Sequence, residues 1–181
     1  METLRFCDDA ALYFLTFSVV EWLPVFVAEE PCLIVTESLN FCHREKGLRT
    51  NAFVIMPTHM HLIAADAGFD VERLRRTLAE MRRHIAKQLI SYCEQHMPAA
   101  FGQVLHSTRR SDREKQFWQQ SRHPEAIWSR AFWQTKIDYL HDNPRRKGLV
   151  WDPTNWRFSS AAYWVLDPPG RSDVVLTAVE W

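Results

Sequence analysis

The sequence predicts an α+β domain in which helices back an antiparallel sheet. Three observations predict it. Apolar runs rich in β-branched and aromatic residues, of strand length, occupy 11–20, 48–56 and 59–65, the last two separated only by Pro57 and Thr58. Two stretches with helical apolar spacing, 31–46 and a segment from Val71 to about His96, separate or follow those runs. Read in order, the elements are strand, helix, strand, strand, helix, strand and then a further helix, which is the split βαβ, ferredoxin-like βαββαβ pattern.

Each element has a local reason. The run ALYFLTFSVV at 11–20 is apolar and β-branched or aromatic, so it predicts a buried strand. Pro31 suits the opening of the first helix, whose Leu33, Ile34, Leu39, Phe41 and Cys42 follow a rough helical spacing, and Gly47 stops it. Residues 48–56 and 59–65 then form a hairpin about the Pro57-Thr58 break. Asp70 is a good N-cap for the second long helix, which ends at Pro98. Residues 99–115 read as irregular and 116–120 as the fourth strand. Ser129 caps a further helix, closed at Asn143-Pro144 because a proline disfavours helical geometry in the residue before it. Beyond 150, Pro153, Pro168 and Pro169 predict an extension wrapped on the core.

With 181 residues, 46% hydrophobic and 24% charged, the chain fits one globular domain. We expect that domain to span 1–163, with 164–181 as a tail that is packed on it or flexible. A chain of this length buries about two-thirds of its unfolded surface and needs no disulfide or metal to fold. No apolar run approaches the roughly 18–20 residues of a membrane span, and the start of the chain lacks the order of a signal peptide. Cys7, Cys32, Cys42 and Cys93 show no C-x-x-C spacing and read as buried thiols. A cytoplasmic location is expected from these features together.

The formal net charge is zero, but the charges are segregated. Residues 1–72 hold 4 Lys or Arg against 11 Asp or Glu, whereas residues 73–147 hold 16 against 7. A basic middle flanked by acidic ends fits a polyanion partner, though a solvated helix face accounts for it equally well. Within it, Arg73, Arg75, Arg76, Arg82, Arg83 and Lys87 lie on the second helix, opposite an apolar stripe of Leu74, Leu78, Met81, Ile85 and Leu89. Arginines so placed fit phosphate contacts, which supply affinity and little sequence reading. A second cluster, Arg145, Arg146 and Lys147, follows the late helix, and Arg109 and Arg110 sit in the irregular segment.

Two short motifs carry chemistry. His59 and His61 alternate about Met60, so on a strand both imidazoles project from one face about 7 Å apart along the chain. Two converging imidazoles make half of a metal site. Tyr139 and Asn143 are four apart and share a helix face. Each motif alone has a plain structural reading: an edge-strand coincidence for the histidines, a core Tyr and a capping Asn for the other. Together they describe two imidazoles and a carboxamide around one divalent ion, with open positions and a phenol beside it. A free phenol, of pKa about 10, is barely ionised at neutral pH. A metal that withdraws charge from a phosphate and orients it suits tyrosine attack on phosphorus and a covalent phosphotyrosine.

The residues that carry these motifs also carry a resemblance. FVIMPTHMHLI at 53–63 is similar to the HUH strand of the single-tyrosine transposases. YLHDNPRRKGLV at 139–150 resembles their tyrosine helix and the segment after it, and WRFSS at 156–160 is similar to a short motif of the REP-associated tyrosine transposases. The likeness covers roughly 11–163, in the family's order. It implies a metal-dependent endonuclease and strand transferase that cuts single-stranded DNA beside a hairpin of a repetitive extragenic palindrome, with magnesium or manganese. It implies Tyr139 as the nucleophile, which becomes joined to a 5′ phosphate and leaves a free 3′ hydroxyl. His59 and His61 take the place of metal ligands, and Asn143 that of the third, where relatives use Gln or Asn. Such proteins act as monomers or homodimers. The chain departs from the family in having Thr58 where Asn is frequent, and Glu21-Trp22-Leu23-Pro24 where a basic or glycine-rich turn is usual. By ligand type manganese suits two His and one Asn better than magnesium. A DNA-binding regulator that recognises palindromes without cutting is the alternative. An RNA-binding module is a weaker one, because the strand at 53–56 lacks the glycine and basic marks of that class.

Overall fold

The computed structural model describes residues 3–5, 12–107, 116–120 and 124–181. The short strand β1 (Thr3–Arg5) is followed by β2 (Leu12–Ser18), the helix α1 (Glu29–Lys46), and the hairpin of β3 (Leu48–Met56) and β4 (His59–Asp66). Next come α2 (Val71–His96), α3 (Ala99–Ser107), β5 (Glu125–Ile127) and α4 (Arg130–Arg146). A short helix α5 (Ala161–Val165) and strand β6 (Ala178–Glu180) end the chain. The main sheet has the order β3-β4-β2-β5 with every neighbour antiparallel, which is the ferredoxin-like arrangement. β1 and β6 pair in parallel as a separate two-stranded sheet. Among the described residues, no helix is long and apolar enough to cross a membrane.

The sheet is covered on both faces, which explains why β3 and β4 read as continuous apolar runs. One face, with Leu15, Phe17, Phe53, Ile55, Met60 and Leu62, packs against Leu39 of α1 and Leu74, Leu78, Met81 and Ile85 of α2. The other, with Leu12, Phe14, Val54 and Ile63, packs against Ile137 and Leu140 of α4. Burying those two α4 residues contributes about 1.5–3 kcal/mol each, and docks the late helix on this face of the sheet.

Local chemistry sets the boundaries. Gly47 takes a left-handed φ of 72° and its N–H bonds Cys42 O, which ends α1. The Asp70 carboxylate accepts from the Arg73 N–H at 2.9 Å and starts α2. β3 carries an irregularity between Thr50 and Ala52. The buried Asn51 there donates to Thr177 O at 3.0 Å and accepts from Trp133 Nε1 at 2.7 Å, so one side chain ties β3 to α4 and to the C-terminal segment. Val174 and Leu176 of that segment are buried against the core.

Four expectations are corrected. The fourth strand of the sheet is β5, at 125–127; within 116–120 only Trp118 bridges, to Val19. Residues 99–107 form α3, because Leu105 is buried and Phe101 packs on the core despite Gly102. α4 does not close at Asn143 but runs through Pro144 to Arg146. Pro144 is buried in the last turn, the Lys147 N–H bonds Asn143 O, and Gly148 at φ 69° turns the chain away. In α1, Phe41 faces solvent, its position being off the stripe set by Leu39 and Cys42. Cys7, Arg109 and Arg110 lie outside the described residues.

Candidate active site

Period-two alternation along β4 sends Met60 into the α1/α2 side of the core and turns His59 and His61 to the α4 side. Their rings lie 4.9 Å apart between centroids. The neighbouring β2 places Ser18 opposite His59 and Thr16 opposite His61. Thr16 Oγ1 and His61 Nδ1 share a hydrogen bond of 2.9 Å, and Thr58 Oγ1 and His59 Nδ1 one of 3.0 Å. Thr58, where the chain departs from the resembled family, thus fixes the orientation of the first histidine. Phe14 stacks on the His61 ring at 5.2 Å.

Both imidazoles are held neutral. Burial, then Lys147, lowers the His59 pKa to about 4. Burial, then His59 and Lys136, lowers that of His61 to about 3. With Nδ1 engaged, Nε2 of His61 is buried without a hydrogen-bond partner among the described residues. An orphaned imidazole nitrogen whose other nitrogen is anchored is the arrangement of a metal ligand.

α4 brings the remaining groups. Its turns present Lys136, Tyr139, Asn143 and Lys147 to a cavity of about 510 Å³ that His59 and His61 also line. The Tyr139 ring is 5.5 Å from that of His61 and 6.1 Å from Phe14. At 40% exposure it borders both the cavity and solvent. The Arg146 guanidinium lies 5.3 Å over the Tyr139 ring. Asn143, buried, lines the cavity one turn further on. Tyr139 and the histidine pair therefore meet within a single chain.

The donor set fits a divalent cation. His59, His61 and the carboxamide oxygen of Asn143 would hold it, with no carboxylate among them. Among the described residues no three His, Cys, Asp or Glu come together to hold a metal ion. Glu125 lines the cavity but is bound to Lys136 Nζ at 2.7 Å.

The basic residues divide. Arg145, Arg146 and Lys147 are exposed at the end of α4, where Arg145 pairs with Asp142 at 2.5 Å and Lys147 reaches the cavity. Those of α2 lie on the layer behind the opposite face of the sheet. Arg75, Arg76, Arg83 and Lys87 face solvent there, and Arg75 stands 3.9 Å from Glu72. Arg73 does not share that role: its guanidinium grips buried Asp66 through two hydrogen bonds of 2.5 Å. Arg82 turns inward, 5.1 Å over the Phe17 ring and bonded to Gln119 O.

Sequence reasoning missed Lys136 and Thr16, and named Trp22 only within a turn that departs from the resembled family. Lys136 had a signal, since 136, 139, 143 and 147 repeat with the period of one helix face. Thr16 had only the strand pairing, which a single sequence does not reveal. Trp22 lines the cavity from the turn after β2, with its ring 6.0 Å from His59.

No protein-family model matches the sequence, and no curated protein does. Among solved structures, the chain is similar to one described as a REP-associated tyrosine transposase bound to a REP hairpin, with a TM-score of 0.60 and 18% identity over 100% of this chain and 94% of that one. The likeness is one of fold: the four-stranded antiparallel sheet backed by helices is the architecture of that transposase.

Proposed function

We propose that the protein is a metal-dependent endonuclease and strand transferase acting on single-stranded DNA beside a hairpin of the REP type. The observation that carries this reading is the Tyr139 ring at 5.5 Å from His61, over the cavity that His59 and Asn143 line. The similar fold of a hairpin-bound tyrosine transposase supports it.

In this reading His59, His61 and Asn143 hold magnesium or manganese, which, when bound, polarises the scissile phosphate. Tyr139 Oη attacks phosphorus, the P–O3′ bond breaks, and the 5′ phosphate stays on the tyrosine. The phenol gives its proton to solvent at the exposed edge of the cavity, and the departing 3′ oxygen takes one up from water. Lys147 supplies positive charge beside the phosphate, while Lys136, paired with Glu125, lines the same cavity. Arg146 holds the Tyr139 ring from the solvent side. Attack by the 3′ hydroxyl of a second strand on the phosphotyrosine reverses these bond changes and joins the ends. Arg145, Arg146 and Lys147 contact the backbone near the cut. Arg75, Arg76, Arg83 and Lys87, on the far layer, hold more distant phosphates.

The test is incubation with a panel of single-stranded DNA hairpins and manganese, followed by a denaturing gel. A covalent adduct is expected from the parent protein. Tyr139→Phe is expected to abolish the adduct, by more than about 10³-fold, and to leave hairpin binding intact. An adduct from that variant would mean that another residue is the nucleophile. Hairpin binding with no adduct in either metal would mean a palindrome-binding regulator.

A further inference from the structure

The turn after β2 holds two adjacent non-glycine residues in left-handed geometry, Glu21 at φ 48° and Trp22 at φ 54°. Such geometry costs of order 1 kcal/mol or more per residue and persists only where the surroundings over-determine it. Here they do. Val19 N bonds Thr58 O at 3.0 Å, Val20 N bonds Phe117 O at 2.9 Å, and Gln119 Nε2 donates to Val19 O at 3.0 Å. The core demands Val20, Val25 and Phe26, all buried, but nothing in the core demands an indole at 22. Trp22 is 57% exposed, yet it does not simply project into solvent. It lines the cavity that holds the histidines and Tyr139, with its ring 6.0 Å from that of His59.

We propose that Trp22 is the stacking platform for one unpaired base of a single-stranded DNA whose phosphate enters that cavity. Every base offers a π-face, and an exposed indole on a rigid turn gains from covering it without ordering a mobile loop. Lys147 brings positive charge to the phosphate in the same cavity. Gln119 and Gln120 line the same cavity. Because Thr58 both accepts from Val19 N and orients His59, the turn that carries the platform is tied to the turn that carries the first histidine. The inference rests on the reading of this cavity as a DNA site, but not on cutting.

The experiment compares two probes at equal length and equal phosphate number, single-stranded oligo(dA) and its abasic counterpart, by fluorescence anisotropy in metal-free buffer. The parent protein is expected to bind oligo(dA) more tightly by roughly ten- to hundredfold. Trp22→Leu, which keeps apolar cover but has no π-face, is expected to bring the ratio near one, while Trp22→Phe keeps most of it. Trp151→Ala, at a tryptophan 97% exposed and outside the cavity, is expected to leave the ratio unchanged. A ratio near one in the parent overturns the proposal, as does a full ratio in Trp22→Leu or its loss in Trp151→Ala. The adduct assay reads cutting separately. A protein that cuts hairpins with a ratio of one loses only the Trp22 platform, whereas one that never cuts but shows the Trp22-dependent ratio loses only the nuclease reading.

Discussion

Thr16 stands at the centre of what individual side chains do here. Its hydroxyl engages Nδ1 of His61, which leaves the buried Nε2 with no hydrogen-bond partner among the described residues. The motif His-Met-His is legible in the sequence because strand periodicity alone puts both rings on one face. The hydroxyls behind them are not. Thr16 lies 45 positions away, and only the pairing of β2 with β4 brings it opposite His61. Lys136 escapes notice for a different reason: on the sequence it is one more cation in a basic segment, and only docking of α4 turns it inward over Phe14 at 4.7 Å. If Thr16 orients a metal ligand, Thr16→Val, which keeps shape and removes the hydroxyl, lowers manganese affinity about 10–100-fold. Calorimetric titration of the folded variant with manganese measures this, and an unchanged affinity would remove Thr16 from the site's support.

At the scale of elements, the joint between β4 and α2 shows how charge is used away from the cavity. Burial alone would raise the pKa of Asp66. The hydrogen bonds from Arg73, from the Gly68 N–H and from the Asp70 N–H outweigh it and hold the carboxyl below its ordinary value. A carboxylate whose folded pKa lies below its unfolded value of about 3.9 stabilises the fold at higher pH. That contribution is present above about pH 4 and is lost as pH falls through the folded value. Asp66→Asn is expected to cost roughly 1–3 kcal/mol at pH 7 and much less at pH 3, measured by denaturant unfolding at the two pH values. The N-cap of α2 and the span of β3 are readable because each depends on residues close in sequence: Asp70 next to its helix, and Gly47 and Pro57 bracketing the strand. The edge strand β5 and the continuation of α4 through Pro144 are not. The first depends on pairing with β2, and the second on burial of Leu140 and Pro144, which overrides the local preference before a proline.

For the molecule as a whole, the sheet separates two basic regions that look continuous in the sequence. The cations of α2 and those at the end of α4 belong to layers on opposite faces, with the histidine pair on the α4 side. Charge segregation along the chain is legible, but its division between two faces is not, because it follows from which side of the sheet each helix covers. The two groups therefore have separable jobs in the proposed reaction. Phosphates held by Arg75, Arg76, Arg83 and Lys87 are remote from the cut, so these residues contribute affinity without contributing to bond breaking. Replacing all four with Gln is expected to weaken hairpin binding and to flatten the dependence of log affinity on log salt by about 0.9 for each duplex phosphate that is no longer neutralised. At saturating hairpin the rate of adduct formation is expected to stay within about twofold of the parent. A variant with parental affinity and salt slope would show that the α2 face carries no DNA. A variant with normal binding at saturation but a collapsed adduct rate would show instead that this face acts on the site through the sheet.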